Sequence, residues 1–322
     1  MKAALLRLCQ RIDYAWLLPF VARLPLPLAY ALARWRGRVH ATSGWDWRSV
    51  ALGVKYVRQQ TDAGYRLLPG GASAAQRVSW RYARFAAEAR DAFEAEMIAR
   101  QRVGELHCTF VPAAAHAVAL ERKRGLLLLT PHFDSFFLGV AFLARSGAKV
   151  NLMSSAVTRD PRVHAAVQQH FKEKYRGLEH YLNGGKVLDM ELGLRPFYRM
   201  LQQHETLVVL GDAPALPNGV TMVVDFLGLK RTLAGGALRL AQHTGSDLGG
   251  YVCRYLGPGR YALEVCPIGP ADDPQTVARV YRFFSKQIQA DPGLWWAADL
   301  LPGMPQTSDG VVQCATESTA IF

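Results

Sequence analysis

The stretch from Gly125 to Arg145 reads GLLLLTPHFDSFFLGVAFLAR. Its first part is a short apolar run without alternation, bounded by Gly125 and Pro131. Such a run suits a strand covered on both faces, as in a parallel sheet. From Phe136 to Arg145 the same stretch reads as a helix. A buried strand passing through a short turn into a helix is the repeating unit of an α/β fold. In open α/β sheets ligands and chemistry collect at the carboxyl ends of the strands. His132 and Asp134 stand at that end here.

Working outward, Lys149 to Met153 and Thr206 to Leu210 read as further strands, the latter followed by Gly211-Asp212-Ala213-Pro214. Val220 to Phe226 reads as a fourth strand. Leu248–Tyr255 and Arg260–Val265 form a hairpin around Gly257-Pro258-Gly259. Helical patterns cover 78–102, 161–175, 192–203, 233–243 and 273–289, with Gly235 and Gly236 allowing close approach at the start of the fourth. In the first of these helices Trp80, Phe85, Ala89, Phe93 and Met97 make the apolar face, and Glu88, Asp91, Glu94 and Glu96 fall on the surface. The expected fold is α/β: a central, mostly parallel sheet flanked by helices, with a helical membrane-associated front end. Residues 1–60 form that front end, 61–305 the α/β domain and 306–322 a flexible tail.

The net charge of +12 is unevenly spread: the first 124 residues carry +11 and the rest +1. Within the basic part, Ala15 to Ala33 reads AWLLPFVARLPLPLAYALA, bordered by Trp16 and Trp35 and by Arg7, Arg11, Arg34, Arg36 and Arg38. Aromatic borders and clustered arginines suit a lipid interface. Pro25 and Pro27 interrupt the segment, which disfavours a straight span and favours an interfacial helix or hairpin. The competing reading packs this helix on the protein's own core. So much aliphatic surface between the charges argues against a nucleic-acid arm. The five cysteines are odd in number and contain no CxxC pair, which disfavours a zinc ribbon or a disulfide framework. Cys253 and Cys266 read as facing positions of the hairpin, both free thiols. His164 and His170, six apart, share no helix face, and no metal-ligand spacing is visible. Lys172, Lys174 and Arg176, with Tyr181 to Lys186 behind them, read as a basic, glycine-containing loop, either a contact for an anionic head group or an acidic carrier protein or simply an exposed connection.

Several of these stretches, in this order, resemble the lipid A biosynthesis acyltransferase branch of the lysophospholipid acyltransferase superfamily. They are LPFVARLPLPLAYALARWRGR, RYARFAAEARDAFEAEM, LLLLTPHFDSFFLGVAFLARSG, the segment from Leu207 to Tyr255 with its Phe226-Leu227-Gly228 turn and Thr232, Gly235 and Gly236, and the closing Asp291-Pro292-Gly293-Leu294-Trp295-Trp296. The resemblance implies a membrane-associated O-acyltransferase at the cytoplasmic face of the bacterial inner membrane. It would move a fatty acyl group from an acyl-carrier-protein or coenzyme A thioester to a hydroxyl of a lipid, glycolipid or polysaccharide-linked acceptor, with His132 as general base. No cofactor and no metal is implied.

The family's signature is a histidine, four residues, then an acid; that position holds Phe137 here. Three readings follow. Asp134 takes over the acidic role, Asp212 supplies the carboxylate through space, or the site is degenerate and binds lipid without transfer. Asp134 stands where the family usually has a small residue, which favours it as a relocated partner. Ser135 is a candidate cap of the following helix or substrate contact, and Thr232 a further substrate contact. Arg159 and Arg162 are candidates for binding the oxyanion or a phosphate of either substrate. A thioesterase using the same base with water as acceptor is the remaining enzymatic alternative.

Overall fold

The computed structural model describes residues 2–53, 56–111, 123–308 and 311–312. The chain opens with helices α1 (Lys2–Ile12), a π-helical turn (Asp13–Leu17), α2 (Leu18–Val21), α3 (Leu26–Ser43), α4 (Trp47–Leu52) and α5 (Tyr56–Arg66). The long helix α6 (Ala74–Ala99) follows, begun by a capping box between Ser73 and Gln76. Strands and helices then alternate: β1 (His107–Val111), β2 (Leu126–Thr130), α7 (Phe136–Ala144), β3 (Val150–Ser154), α8 (Ala165–Glu179), β4 (Val187–Asp189), α9 (Arg195–Gln202) and β5 (Thr206–Leu210). After them come β6 (Thr221–Phe226), β7 (Leu229–Ala234), α10 (Gly236–His243), β8 (Asp247–Gly257), β9 (Arg260–Val265), β10 (Gly269–Pro270) and α11 (Pro274–Ala290).

The central sheet has the order β1-β9-β8-β2-β5-β3-β4, with β10 added to β8. Strand β2 pairs in parallel with both β5 and β8, so every residue from Leu126 to Thr130 is buried. Its side chains alternate between two cores. Leu126 and Leu128 pack with α7, α8 and the amino-terminal helices, and Leu127 and Leu129 with α9, α10 and α11. Helix α7 lies close on β8. A Cβ at Gly139 would stand 2.7 Å from the Tyr251 ring and 2.9 Å from Cys253.

Val220 to Phe226, read as a fourth strand, is β6; among the described residues it pairs with β7 alone, in a two-stranded ribbon separate from the central sheet. Its two-residue turn has positive φ at both Leu227 (55°) and Gly228 (77°), the twist a tight hairpin demands. The Leu248–Val265 hairpin is present as β8 and β9. Cys253 faces Leu263 rather than Cys266, whose N–H bonds the Gly250 carbonyl beyond the paired strands. Strands β1 and β4 were not expected: β1 is a half-exposed edge, and β4 is only 3 residues long. Gly235 does allow close approach, a Cβ there standing 2.9 Å from the Thr221 backbone, whereas Gly236 faces open space.

Helix α6 departs most from its expected amphipathic form. Glu88, Asp91, Glu94 and Glu96, assigned to the surface, are all buried. Each meets a cation or histidine: Glu88 pairs with Arg84, Asp91 with Lys174, Glu94 with Arg90, and Glu96 with Arg100 and His170. Buried charges persist when paired in this way. Lys174 is therefore part of the interior, not of an exposed basic loop.

The apolar segment 15–33 breaks at Ala22–Pro25, where Pro25 caps α3 and Pro27 sits in its first turn. One side packs on the body through Tyr14, Leu18, Val21, Ala29, Tyr30 and Ala33. The other exposes Leu5, Leu8, Ile12, Trp16 and Phe20 along one helical stripe, with Leu28 and Trp35 on α3. Among the described residues no helix is long and apolar enough to cross a membrane. Beyond residues 306–308 and 311–312, the carboxyl-terminal tail lies outside the described residues.

Candidate active site

The parallel register of β2 and β5 builds the site. Thr130 pairs with Leu210. Each strand then runs two residues further, one through Pro131 to His132, the other through Gly211 to Asp212. The two side chains thus meet although 80 positions separate them, with His132 Nδ1 2.8 Å from Asp212 Oδ1. The second carboxylate oxygen, Oδ2, accepts the His132 backbone N–H at 2.8 Å and the Trp295 indole N–H at 2.7 Å. Asp212 is fully buried, while the His132 side chain keeps 16% exposure. A carboxylate can only accept, so Nδ1 carries the hydrogen. The open nitrogen, Nε2, is then a proton acceptor. The Phe136 ring stands edge-on to the imidazole at 5.5 Å, and Trp296 stands edge-on to Phe136 at 5.1 Å. The imidazole is therefore set in an aromatic surround.

Asp134 does not meet His132. Its backbone lies in the left-handed region at φ 51°, which aspartate tolerates better than most residues. Its carboxylate bonds Arg90 on one oxygen and the Tyr255 N–H, at 2.8 Å, on the other. Burial raises this carboxyl above its ordinary range, against the pull of Arg90. Asp134 thereby fastens the turn after His132 to α6 and β8. Ser135 starts α7 without a side-chain cap; its hydroxyl is buried and donates to Glu94 at 3.0 Å. Glu94 also accepts the Tyr261 hydroxyl at 2.8 Å, and Tyr261 in turn bonds Tyr30 of α3. Burial lifts the Glu94 carboxyl to about 7, opposed chiefly by Arg90.

Phe137, at the position of the motif acid, points into the core. It stacks on Tyr175 at 5.9 Å, and Lys174 Nζ lies 3.7 Å from its ring centre. Arg159 is held by Asp189 at 2.5 Å and Arg162 by Asp160 at 2.7 Å, both exposed. Thr232 bonds Thr307 at 3.1 Å. Of the residues singled out from sequence, the structure joins His132 and Asp212; the polar groups of Asp134, Ser135, Arg159, Arg162 and Thr232 have partners elsewhere. A basic depression of about 470 Å³, lined by Lys149, Lys186, Arg195 and Arg199, lies at the amino ends of β3 to β5. That is the opposite end of the sheet from His132. No group of histidine, cysteine and acidic side chains suited to a metal occurs among the described residues.

Three residues of the site escaped the sequence reading. Arg90 and Glu94 gave a signal only as an i, i+4 charge pair inside a largely apolar helix. Trp295 figured only within a shared motif, with nothing to say what its indole would touch.

A histidine held by a buried aspartate at the carboxyl ends of neighbouring parallel strands is an arrangement suited to acid–base chemistry, and comparison supplies the family. The family model of the bacterial lipid A biosynthesis acyltransferases matches residues 70–297, and the chain belongs to that family of acyltransferases. Among solved structures, a 1-acyl-sn-glycerophosphate (LPA) acyltransferase, PlsC, from Thermotoga maritima is similar at 11% identity and TM-score 0.36, over 83% of this chain and 98% of that one. No curated protein matches the chain.

Proposed function

We propose that the protein is a membrane-docked O-acyltransferase in which His132 is the general base and Asp212 its acidic partner. The observation that carries this reading is the 2.8 Å contact between His132 Nδ1 and Asp212 Oδ1. With Nδ1–H donated to the carboxylate, Nε2 takes the proton of an acceptor hydroxyl as its oxygen attacks the carbonyl carbon of an acyl thioester. The tetrahedral intermediate places a negative charge on the former carbonyl oxygen, for which the first turn of α7 offers amide donors. Collapse breaks the carbon–sulfur bond, and the imidazolium returns the proton to the leaving thiolate. Asp212 holds the tautomer and stabilises the cationic ring between these transfers.

The donor is a thioester of acyl carrier protein or coenzyme A. The acceptor is a hydroxyl of a lipid, glycolipid or polysaccharide-linked sugar. The exposed stripe of α1 to α3 supports docking on a lipid surface; the cytoplasmic face of the inner membrane is what the family resemblance adds. Leu5, Leu8, Ile12, Trp16, Phe20, Leu28 and Trp35 are all exposed on these helices, and Arg7, Arg11, Arg23, Arg34 and Arg38 are exposed among them. A monomer rarely exposes so much apolar surface without a use, and the arginines suit anionic lipid. Arg159 and Arg162 remain proposed phosphate contacts only if they exchange their present carboxylate partners for substrate.

The test is transfer of a radiolabelled acyl group from the thioester to an extract of acceptor lipids. His132→Ala is expected to abolish transfer while folding and binding to anionic vesicles persist. Full transfer by that variant contradicts the reading. Thiol release without any acylated acceptor points instead to hydrolysis.

A further inference from the structure

Three N–H groups converge on Asp212: the backbone and the imidazole of His132, the proposed base, and the indole of Trp295. We propose that Trp295 is a positioning residue, whose indole N–H fixes the Asp212 carboxylate so that Oδ1 faces His132. This rests on the reading of His132 and Asp212 as an acid–base pair.

A carboxylate on a short side chain turns about a broad, two-fold torsion. It keeps one oxygen on the imidazole only if the other is held. Oδ2 is held twice, by the His132 backbone N–H at 2.8 Å and the Trp295 indole at 2.7 Å. The indole is a donor only, so it cannot draw Nδ1–H away from Asp212. Trp295 and Asp212 are both fully buried, which leaves little room for water to replace a lost bond.

The indole is itself fixed. Its ring stands edge-on to Phe226 at 5.9 Å. Its backbone forms a bridge with Phe133. On either side, the Asp134 N–H bonds the Leu294 carbonyl at 2.9 Å and the Trp296 N–H bonds the His132 carbonyl at 2.7 Å. Gly293 lets this segment settle on α6, since a Cβ there would stand 2.7 Å from that of Ala83. The 292–296 segment is thus stitched to the His132 turn along its length, and Trp295 reaches past it to the carboxylate.

Trp295→Phe keeps an aromatic ring and removes one N–H. In the wild-type background kcat is expected to fall about tenfold or more, the size of a lost bond to a charged group, with KM within about twofold. In an Asp212→Asn background the same substitution should change kcat by less than about twofold, because its effect passes through Asp212. An equal fall in both backgrounds would assign Trp295 a packing role and overturn the inference. A second readout needs no Trp295 variant: the indole N–H resonance of Trp295, assigned by NMR, should move upfield in Asp212→Asn. An unmoved resonance also overturns it. Loss of transfer in His132→Ala with full kcat in Trp295→Phe rejects this inference alone. Full activity of His132→Ala rejects the acid–base reading, while the resonance still reports whether the indole holds Asp212.

Discussion

Asp134 and Asp212 are chemically alike, and their surroundings give them different work. Asp212 presents one oxygen to the imidazole and the other to two N–H donors. Asp134 spends both oxygens on Arg90 and the Tyr255 backbone. Its removal leaves the Arg90 guanidinium short of one buried partner, although Glu94 stays 3.3 Å away. Asp134→Asn is therefore expected to lower stability by about 2 kcal/mol. Urea unfolding would show this as a lower midpoint at constant m-value; an unchanged midpoint contradicts it. In the sequence, a histidine after a buried strand and a proline made His132 a plausible seat for a base, and the family resemblance gave it that role. The acid stayed open because proximity along the chain favoured Asp134. The signal for Asp212 was present in a less obvious form: LLLLT-Pro-His and TLVVL-Gly-Asp have equal lengths, so in-register parallel strands bring His132 beside Asp212.

At the scale of elements, α7 explains why the motif position is vacant of an acid. Phe137 packs against α8 through Tyr175 and Lys174. Phe137→Asp would restore the family's spelling, but it would place a carboxylate beside Lys174. In an Asp212→Asn background it is expected to leave kcat unrestored, within about twofold of Asp212→Asn alone. Recovery of transfer would show that α7 can present an acid to His132. Elements with strong patterns were legible: β2, β5, α7 and the β8–β9 hairpin follow directly from apolar runs, proline and glycine. The β6–β7 ribbon was half seen, because a strand pattern says nothing about which partner it chooses. The three-residue β4 is too short to carry a period.

Across the whole molecule, α6 joins the amino-terminal helices to the His132 turn. Tyr30 of α3 bonds Tyr261, Tyr261 bonds Glu94, and Glu94 accepts from Ser135. The sequence could not show this network, since its acids look like a solvated face until the partners from α3, α8 and the β2–α7 turn are known. The raised Glu94 carboxyl gives it a measurable consequence. Between the ordinary value of 4.5 and about 7, the folded protein binds a proton that the unfolded chain has released. Stability therefore falls as pH rises through that window, by about 3 kcal/mol in all, and levels off above it. Urea unfolding at about pH 5 and about pH 8 should show this fall in the wild type and a smaller one in Glu94→Gln. Equal pH dependence in the two proteins contradicts the assignment.

The pairing of His132 with Asp212 is tested most directly by comparing kcat for acyl transfer in Asp212→Asn and Asp134→Asn, each confirmed as folded at the assay temperature. The geometry predicts a fall of about 10³-fold or more in Asp212→Asn, approaching that of His132→Ala, and a fall of less than about tenfold in Asp134→Asn. Near-normal transfer by Asp212→Asn, with transfer lost in Asp134→Asn, would contradict it.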